Sequence, residues 1–170
     1  MGELNAHGVA VAVPPGWDGR IFRRPEHGEV SASDADGPPA PPGATTHSVT
    51  HIANVPLPER MADFGSDAVE RLGPDDALVV LFEYEPASAG TALFAHPGVP
   101  RPLDPEAFST NVLQRPLPNQ AGTQLFFSEQ GRAFCLYVVL GGYQRRHEVV
   151  PGVNRVLETI RIEPLTDPSP

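Results

Sequence analysis

Four polar residues interrupt or close apolar segments of this sequence, and they are the first candidates for a binding site. Glu83 lies within VVLFEYE, on an otherwise apolar strand face. Gln124 and Tyr137 oppose each other across a predicted hairpin, and Phe126 shares their face. Arg115 ends a predicted edge strand. Because a charge directed at a sheet face needs a partner, two interpretations arise: a structural Glu–Arg pair or solvent-directed sheet end, or the polar floor of a binding groove.

Two histidines, His47 and His51, have the i, i+4 spacing of metal ligands on a helix. The residues around them, Val49, Thr50 and Ile52, favour a strand instead. In a strand, the two Cα atoms lie about 13 Å apart, which is too far to share a metal ion without other ligands. We therefore predict no metal site.

Other reactive side chains have simpler structural interpretations. Cys135 lies in mid-strand among apolar neighbours, which predicts an inert buried thiol. Ser66, in Gly65-Ser66-Asp67, is read as a helix cap because there is no G-x-S-x-G motif. All 12 basic residues are arginine, which excludes lysine-dependent Schiff-base, pyridoxal-phosphate and P-loop chemistry. We predict no catalytic residue and no cofactor, and the sequence favours a binding protein over an enzyme.

Composition limits the partners and the compartment. The 170 residues carry a net charge of −9, which argues against nucleic acid or an anionic membrane as a partner. A single cysteine excludes a disulfide framework within the chain. The first apolar run ends at Pro14-Pro15 and is too short for a signal or membrane segment. We expect a cytoplasmic protein.

The most apolar segment, Thr123 to Gly142, predicts a β-hairpin with Gln130-Gly131 as its two-residue turn. This register places Phe127 opposite Phe134. One face, which we call the core face, then carries Leu125, Phe127, Phe134, Leu136, Val138 and Leu140. The other, which we call the mixed face, carries Gln124, Phe126, Ala133, Cys135, Tyr137 and Val139. The mixed face is too apolar to lie in water, so it needs a cover.

The remaining elements are shorter. Strands are predicted at 7–13, 17–24, 47–55 and 77–85, with shorter segments at Leu93-Phe94, 112–115 and 161–163. The first two of these strands form a predicted N-terminal hairpin. Helices are predicted from Asp63 or Ser66 to Leu72, from Pro105 to about Asn111 with Asp104 as cap, and around Val153, Val156, Leu157 and Ile160, with a start near Glu148 as an alternative.

Domain organisation follows from length and from the distribution of proline, glycine and charge. We predict one domain over residues 1–164, because a chain of this size buries about 70% of its unfolded surface. Residues 25–46 contain four acidic residues, no Lys or Arg, and a single large apolar residue, Val30. This composition predicts a mobile acidic loop. Residues 165–170 are predicted to form a disordered tail.

Several antiparallel strands with few helices predict the α+β class, in which a central, mostly antiparallel sheet carries helices on its faces. The pattern V-x-V-P-x-x-W from Val11 to Trp17, the hairpin, and the last helix running into Arg161-Ile162-Glu163 resemble proteins of the PsbP/Mog1 fold. The resemblance implies an α-β-α sandwich and an accessory, adaptor or chaperone-like binder. The loop at 25–46 departs from the family's pattern, and the lipidated cysteine of its lipoprotein members is missing. No site residue is carried over.

Three functional hypotheses remain open at this point. The first is a cytoplasmic, non-catalytic binding or adaptor module with a protein partner. The second is a small-molecule-binding protein or enzyme with a pocket around Glu83 on the sheet floor. The third is a homodimer that buries the mixed face. A deep pocket at Glu83 would favour the second, and a shallow apolar strip would favour the first.

Overall fold

The computed structural model describes residues 2–25, 46–59 and 64–165. Its strands are β1 (Gly2–Ala6), β2 (Val9–Val13), β3 (Asp18–Pro25), β4 (Thr46–Ala53), β5 (Ala77–Tyr84), β6 (Ala121–Glu129), β7 (Arg132–Leu140) and β8 (Arg161–Ile162). Its helices are α1 (Ser66–Val69) and α2 (Arg146–Leu157), with 3-10 turns at Pro86–Ser88, Ala92–Phe94, Pro105–Ala107 and Tyr143–Arg145. The segment predicted as a mobile loop, apart from its two end residues, and the predicted tail beyond Leu165 lie outside the described residues.

The strands form two antiparallel sheets. A five-stranded sheet has the order β3-β4-β5-β7-β6, and a three-stranded sheet has the order β1-β2-β8. The smaller sheet and α2 cover the core face of the larger one and enclose the first hydrophobic core. The mixed face carries a second core, closed by α1 and by loop residues that include Leu57, Phe64 and Leu113.

The predicted α+β class is therefore wrong, and so is the α-β-α sandwich that the PsbP/Mog1 resemblance implied. Within the described residues, α2 is the only helix longer than one turn. The cover of the core face comes largely from a second sheet, and α1 on the mixed face has four residues. The chain is mainly β because residues expected to form helices are instead short turns. The helices of the described part of the chain are too short to cross a bilayer.

The central hairpin of β6 and β7 is confirmed in register and turn. Phe127 pairs with Phe134, and Gln124 pairs with Tyr137. Gln130 and Gly131 have φ values of 54° and 72°, as a two-residue turn of type I′ requires. The two hairpin faces belong to the two different cores, so the predicted separation of core face and mixed face is confirmed.

The predicted N-terminal hairpin is wrong. His7 and Gly8 are not in a strand but form the turn between β1 and β2, with φ values of 55° and 71°. β2 pairs with β1 and β8, whereas β3 pairs with β4 in the other sheet. The misreading arose because β1 is a polar, largely exposed edge strand, and an edge strand has little of the apolar alternation that marks a strand in sequence.

Most other predicted elements are confirmed, some with altered lengths. The predictions for β4, β5, β8 and α2 are confirmed, although α2 begins at Arg146. Asp104 caps a helix, as its side chain accepts from the Glu106 amide, but this helix spans only Pro105–Ala107. The strand segment at Leu93-Phe94 is a 3-10 turn, and 112–115 is not a strand. Instead, Ser109 forms a bridge with Gly122.

The helix predicted after Asp63 or Ser66 is only one turn long, and its N-cap position is Gly65 in the left-handed conformation. Its predicted apolar stripe, Ala68, Val69 and Leu72, is nevertheless buried against the mixed face. Burial of the stripe therefore does not depend on a regular helix through Leu72.

Candidate functional site

Glu83, which was predicted to need a partner for its charge, pairs with the buried Arg132. The guanidinium of Arg132 donates from Nε to Glu83 Oε1 over 2.8 Å and from Nη2 to Oε2 over 2.9 Å. Ser48 donates to the same Oε2 from its hydroxyl at 2.6 Å and from its amide at 3.2 Å. The two charged residues are 6% and 1% exposed, respectively. This arrangement is a bidentate ion pair shielded from solvent.

The remaining N–H groups of Arg132 connect the two sheets. Nη1 donates to the carbonyl oxygens of Gly8 at 3.0 Å and Glu163 at 2.9 Å, and Nη2 donates to His7 O at 2.9 Å. A guanidinium has five N–H donors, and all five are therefore used. Arg132 in the five-stranded sheet thus holds the β1–β2 turn and the end of β8 in place.

The electrostatics of Glu83 follow from these contacts. Burial acts to raise the pKa of Glu83, but hydrogen bonds from Arg132 and Ser48 outweigh it, so the pKa lies below its usual value of 4.5. The carboxylate is ionised and committed to its partners, which is unsuitable for a general base. The structural Glu–Arg pair is the interpretation that fits this geometry.

A separate cleft, which we call the Tyr137 cleft, opens on the mixed face. Its lining consists of Phe64, Val69, Leu113, Gln114, Arg115, Gln120, Tyr137 and Val139. The cavity volume of about 30 Å³ suits a group of a few heavy atoms or one to two waters. The walls are mainly apolar, so the few polar groups decide what can bind.

Gln120 is the most unusual polar residue in the cleft. It is 5% exposed, and its Nε2 donates to Val69 O over 2.7 Å. Its carbonyl oxygen, Oε1, is buried and has no hydrogen-bond partner within the described part of the chain. A buried amide oxygen without a donor costs roughly 1–3 kcal/mol.

Tyr137 and Arg115 provide the other polar groups. Tyr137 Oη accepts a hydrogen bond from the backbone N–H of Gln114 over 2.9 Å, which leaves the phenolic proton able to donate. Burial, the largest cause, raises the pKa of Tyr137, so the phenol is neutral. Arg115 forms an ion pair with Glu70 in which both side chains are largely exposed. A cation therefore lies at the rim and a neutral donor lies inside.

The structure does not bring the five predicted binding residues into one site. Glu83 belongs to the core face, whereas Tyr137 and Arg115 line the Tyr137 cleft. Gln124 lies beside Tyr137 but donates to Cys135 Sγ at 3.5 Å. Phe126 packs instead on an aromatic group, with its ring 5.4 Å from that of Phe94.

Sequence reasoning missed Gln114 and Gln120. Both lie in the irregular segment between the Pro105–Ala107 turn and β6, where no periodicity indicates which way a side chain points. The break at Pro116-Leu117-Pro118 was the available signal, since it predicts a loop next to the hairpin. It does not predict that the loop folds back over Tyr137.

Cys135, His47 and His51 were the other candidates for reactive or metal-binding side chains. Cys135 is fully buried, and burial raises the pKa of its thiol to about 11, an effect that Gln124 partly opposes. His47 and His51 lie on β4, and the ring of His51 packs edge-on against Phe22 at 5.3 Å. Where the chain is described, no three His, Cys, Asp or Glu side chains cluster as metal ligands would.

No family model, curated protein or solved structure matches this chain. The resemblance to the PsbP/Mog1 family therefore stays a prediction, apart from the sandwich layout that the sheets contradict.

Proposed function

We propose that this chain is a cytoplasmic, non-catalytic binding module whose recognition site is the Tyr137 cleft. The observation that carries the proposal is the buried Oε1 of Gln120, which has no hydrogen-bond partner among the described residues and belongs to a side chain that lines an otherwise apolar cleft. Such an atom lowers stability unless a donor reaches it, and a rotation of the Gln120 side chain on binding would let a partner group supply that donor. A cytoplasmic location agrees with a single cysteine, Cys135, that is a free thiol.

A protein is the proposed partner because of the size of the cleft. A volume of about 30 Å³ admits the end of one side chain but not a drug-sized molecule. The rest of the affinity must come from surface around the opening. This favours an adaptor that holds an extended segment of another protein, with one side chain inserted.

The alternatives receive less support from the contacts. An enzyme pocket around Glu83 requires a free carboxylate, but Arg132 and Ser48 already occupy that group. A homodimer through the mixed face requires an open apolar surface. Tyr137 is 2% exposed because residues of the same chain, including Phe64, cover it.

The experiment compares peptide binding by the wild type and two variants of the same type. Gln120→Met removes the amide at a nearly unchanged side-chain length, and Gln124→Met makes the same change on β6 outside the cleft. Peptides displayed on phage are selected on the wild-type protein, and their affinities for the three proteins are measured. We expect binding to be lost in Gln120→Met and retained in Gln124→Met, with both variants keeping a cooperative thermal transition.

Two results would contradict the proposal. One is the failure of any peptide to bind the wild-type protein. The other is equal binding by Gln120→Met and the wild type, which would place recognition elsewhere on the surface.

A further inference from the structure

The outer edge of β6 carries main-chain groups that can bind another chain. β6 is the last strand of the five-stranded sheet, so β7 pairs with only one of its edges. In an antiparallel ladder, the N–H and C=O of successive residues point alternately to one edge and to the other. Gly122 and Ser128 form hydrogen bonds outward, away from β7. Gln124 and Phe126 lie at alternate positions between them, so their N–H and C=O groups also point outward.

The two ends of this edge are occupied by other segments of the same chain. Ser109 exchanges two hydrogen bonds of 2.9 Å with Gly122. At the other end, the Ser128 N–H donates to His96 O over 2.9 Å, and Ser128 O accepts from the Gly98 N–H over 2.8 Å. The position that a sixth strand would take beside β6 is therefore filled opposite Gly122 and opposite Ser128.

Between these ends, residues 124–126 form what we call the open edge. They are half-buried, whereas Thr123 and Phe127 on either side are buried. Among the residues that the structure describes, no main-chain group bonds to the outward N–H or C=O of Gln124 or Phe126. Two donors and two acceptors are thus available, and such groups on a sheet edge are a template for an added strand.

The spacing of these four groups specifies a short antiparallel segment. Three extended residues suffice, because the first can exchange two hydrogen bonds with Phe126 and the third can exchange two with Gln124. The filled positions opposite Gly122 and Ser128 are only about 20 Å apart, which is six residues at about 3.4 Å each. A complete strand, such as β6 of a second copy, would overlap with the segments at both ends.

The side chains around the open edge favour an apolar segment. Residues that face each other in a ladder have their side chains on the same side of the sheet, so the first residue lies beside Phe126 and the second beside Leu125. The ring of Phe126 contacts that of Phe94 at 5.4 Å, and Leu93, in the same turn as Phe94, is 60% exposed. The net charge of −9 favours basic over acidic residues on either side of the segment.

We propose that the open edge of β6 binds a three-residue apolar segment of a protein partner, flanked by basic residues and added as a short antiparallel strand. Both ends of the segment have to leave the plane of the sheet, which suits a chain terminus or a flexible segment of the partner. The Tyr137 cleft is lined by other residues, so this surface does not depend on the proposed function.

Hydrogen exchange of the full chain, followed by NMR, tests the open edge without a ligand. We expect the amides of Gln124 and Phe126 to exchange at least about 100-fold faster than those of Leu125 and Phe127, which bond to β7. Equal protection of all four amides would show that the edge is closed and would overturn the proposal.

A peptide titration tests recognition of the main chain, with acetyl-Arg-Ile-Val-Thr-Arg-amide as the probe. We expect saturable shifts of the Gln124 and Phe126 amide signals, with a Kd on the order of 0.1–1 mM for so short a segment. N-methylation of the Ile or the Thr removes an N–H that reaches the edge, and each should weaken binding at least about tenfold. N-methylation of the Val alters an N–H that points away from the edge and should leave the Kd within about twofold.

Two peptide results would overturn the proposal. One is the absence of saturable binding of the parent peptide at about 10 mM, well above the expected Kd. The other is equal weakening by all three methylations. Both comparisons use the wild-type protein, so they do not depend on the folding of a variant.

Variants separate the open edge from the Tyr137 cleft. Gln124→Pro removes one outward N–H without removing a bond to β7, and it should weaken the peptide at least about fivefold. Gln124→Ala loses the same side chain but keeps the N–H, so its Kd should stay within about twofold of the wild type. Gln120→Met, in the cleft, should also leave the Kd unchanged. Loss of binding in Gln120→Met with retention in Gln124→Pro would overturn this inference and support the cleft as the binding site.

Discussion

Replacing Arg132 by methionine tests whether this residue, which pairs with Glu83 in its own sheet and donates to carbonyls of the other, joins the two sheets. The substitution retains a long, flexible side chain but removes the five N–H donors that reach Glu83 and the carbonyls of His7, Gly8 and Glu163. The Glu83 carboxylate then stays buried with Ser48 as its remaining partner. Breaking a buried pair in this way costs about 3–5 kcal/mol.

The loss is large relative to the whole protein, since domains of this kind unfold with about 5–15 kcal/mol. It corresponds to a fall in Tm of roughly 6–20 °C at 2–4 °C per kcal/mol. Urea unfolding followed by the fluorescence of Trp17 measures the free energy directly. Arg161→Met is the control, because its pair with Glu3 is exposed and exposed pairs contribute about 0–1 kcal/mol.

The double variant Glu83→Leu/Arg132→Met removes both charges together. If the losses of the two single variants added, they would give an expected unfolding free energy for the double variant. The measured value should be higher than this by about 2 kcal/mol or more, because no unpaired charge remains. Additive losses would show that the two side chains do not interact. A loss below about 1 kcal/mol for Arg132→Met would refute the argument that this residue joins the sheets.

The same pair predicts a dependence of stability on pH. The pKa of Glu83 is lower in the folded state than its ordinary value, so its contribution is complete above the unfolded pKa and is lost as pH falls through the folded pKa. Denaturation curves of the wild type should therefore converge on those of Glu83→Gln as the solution is acidified below about pH 4.5. A difference in unfolding free energy between the two proteins that grows as the pH falls would contradict the predicted direction of this pH dependence.

Three further substitutions or reactions test other contacts. Tyr137→Glu should destabilise the fold by several kcal/mol, because it buries a charge in the second core, and a change below about 1 kcal/mol in urea unfolding would mean that the mixed face is open. Cys135 should react with a thiol reagent at pH 8 far more slowly in native than in unfolded protein, because it is buried and its pKa is raised to about 11; equal rates would contradict this. Gly8→Ala should cost more than Gly16→Ala. Both glycines have positive φ, but only at Gly8 would the new Cβ meet Arg132 Nη1, at 2.7 Å, so equal Tm values would argue against the close approach.

The central hairpin could be predicted because its information is local. Gln130-Gly131 between two alternating runs specifies the turn, and the turn specifies the register of every opposing pair. The burial of both faces followed from their composition. The same reasoning failed for β1, where an exposed edge strand needs no apolar pattern, and His7-Gly8 was read as part of a strand.

The candidate site was predicted only in part for a related reason. Tyr137 and Arg115 were selected as polar interruptions of apolar segments, and both line the cleft. Gln120 was not selected, because its importance depends on an oxygen that has no hydrogen-bond partner among the described residues after folding. Glu83 was selected correctly as a residue that needs a partner, but nothing local identified that partner as Arg132, 49 residues later.

By itself, the sequence determined the hairpin register, the two apolar faces, the absence of lysine chemistry and the single thiol, since each depends on residue type or on neighbours a few positions away. The tertiary structure decided what covers each face, and so it overturned the α+β prediction in favour of two packed sheets. It also decided that Glu83 pairs with Arg132, while Oε1 of Gln120 has no hydrogen-bond partner in the part of the chain that the structure describes. Hydrogen bonds between distant residues depend on how the chain closes over itself, which local periodicity and spacing do not specify.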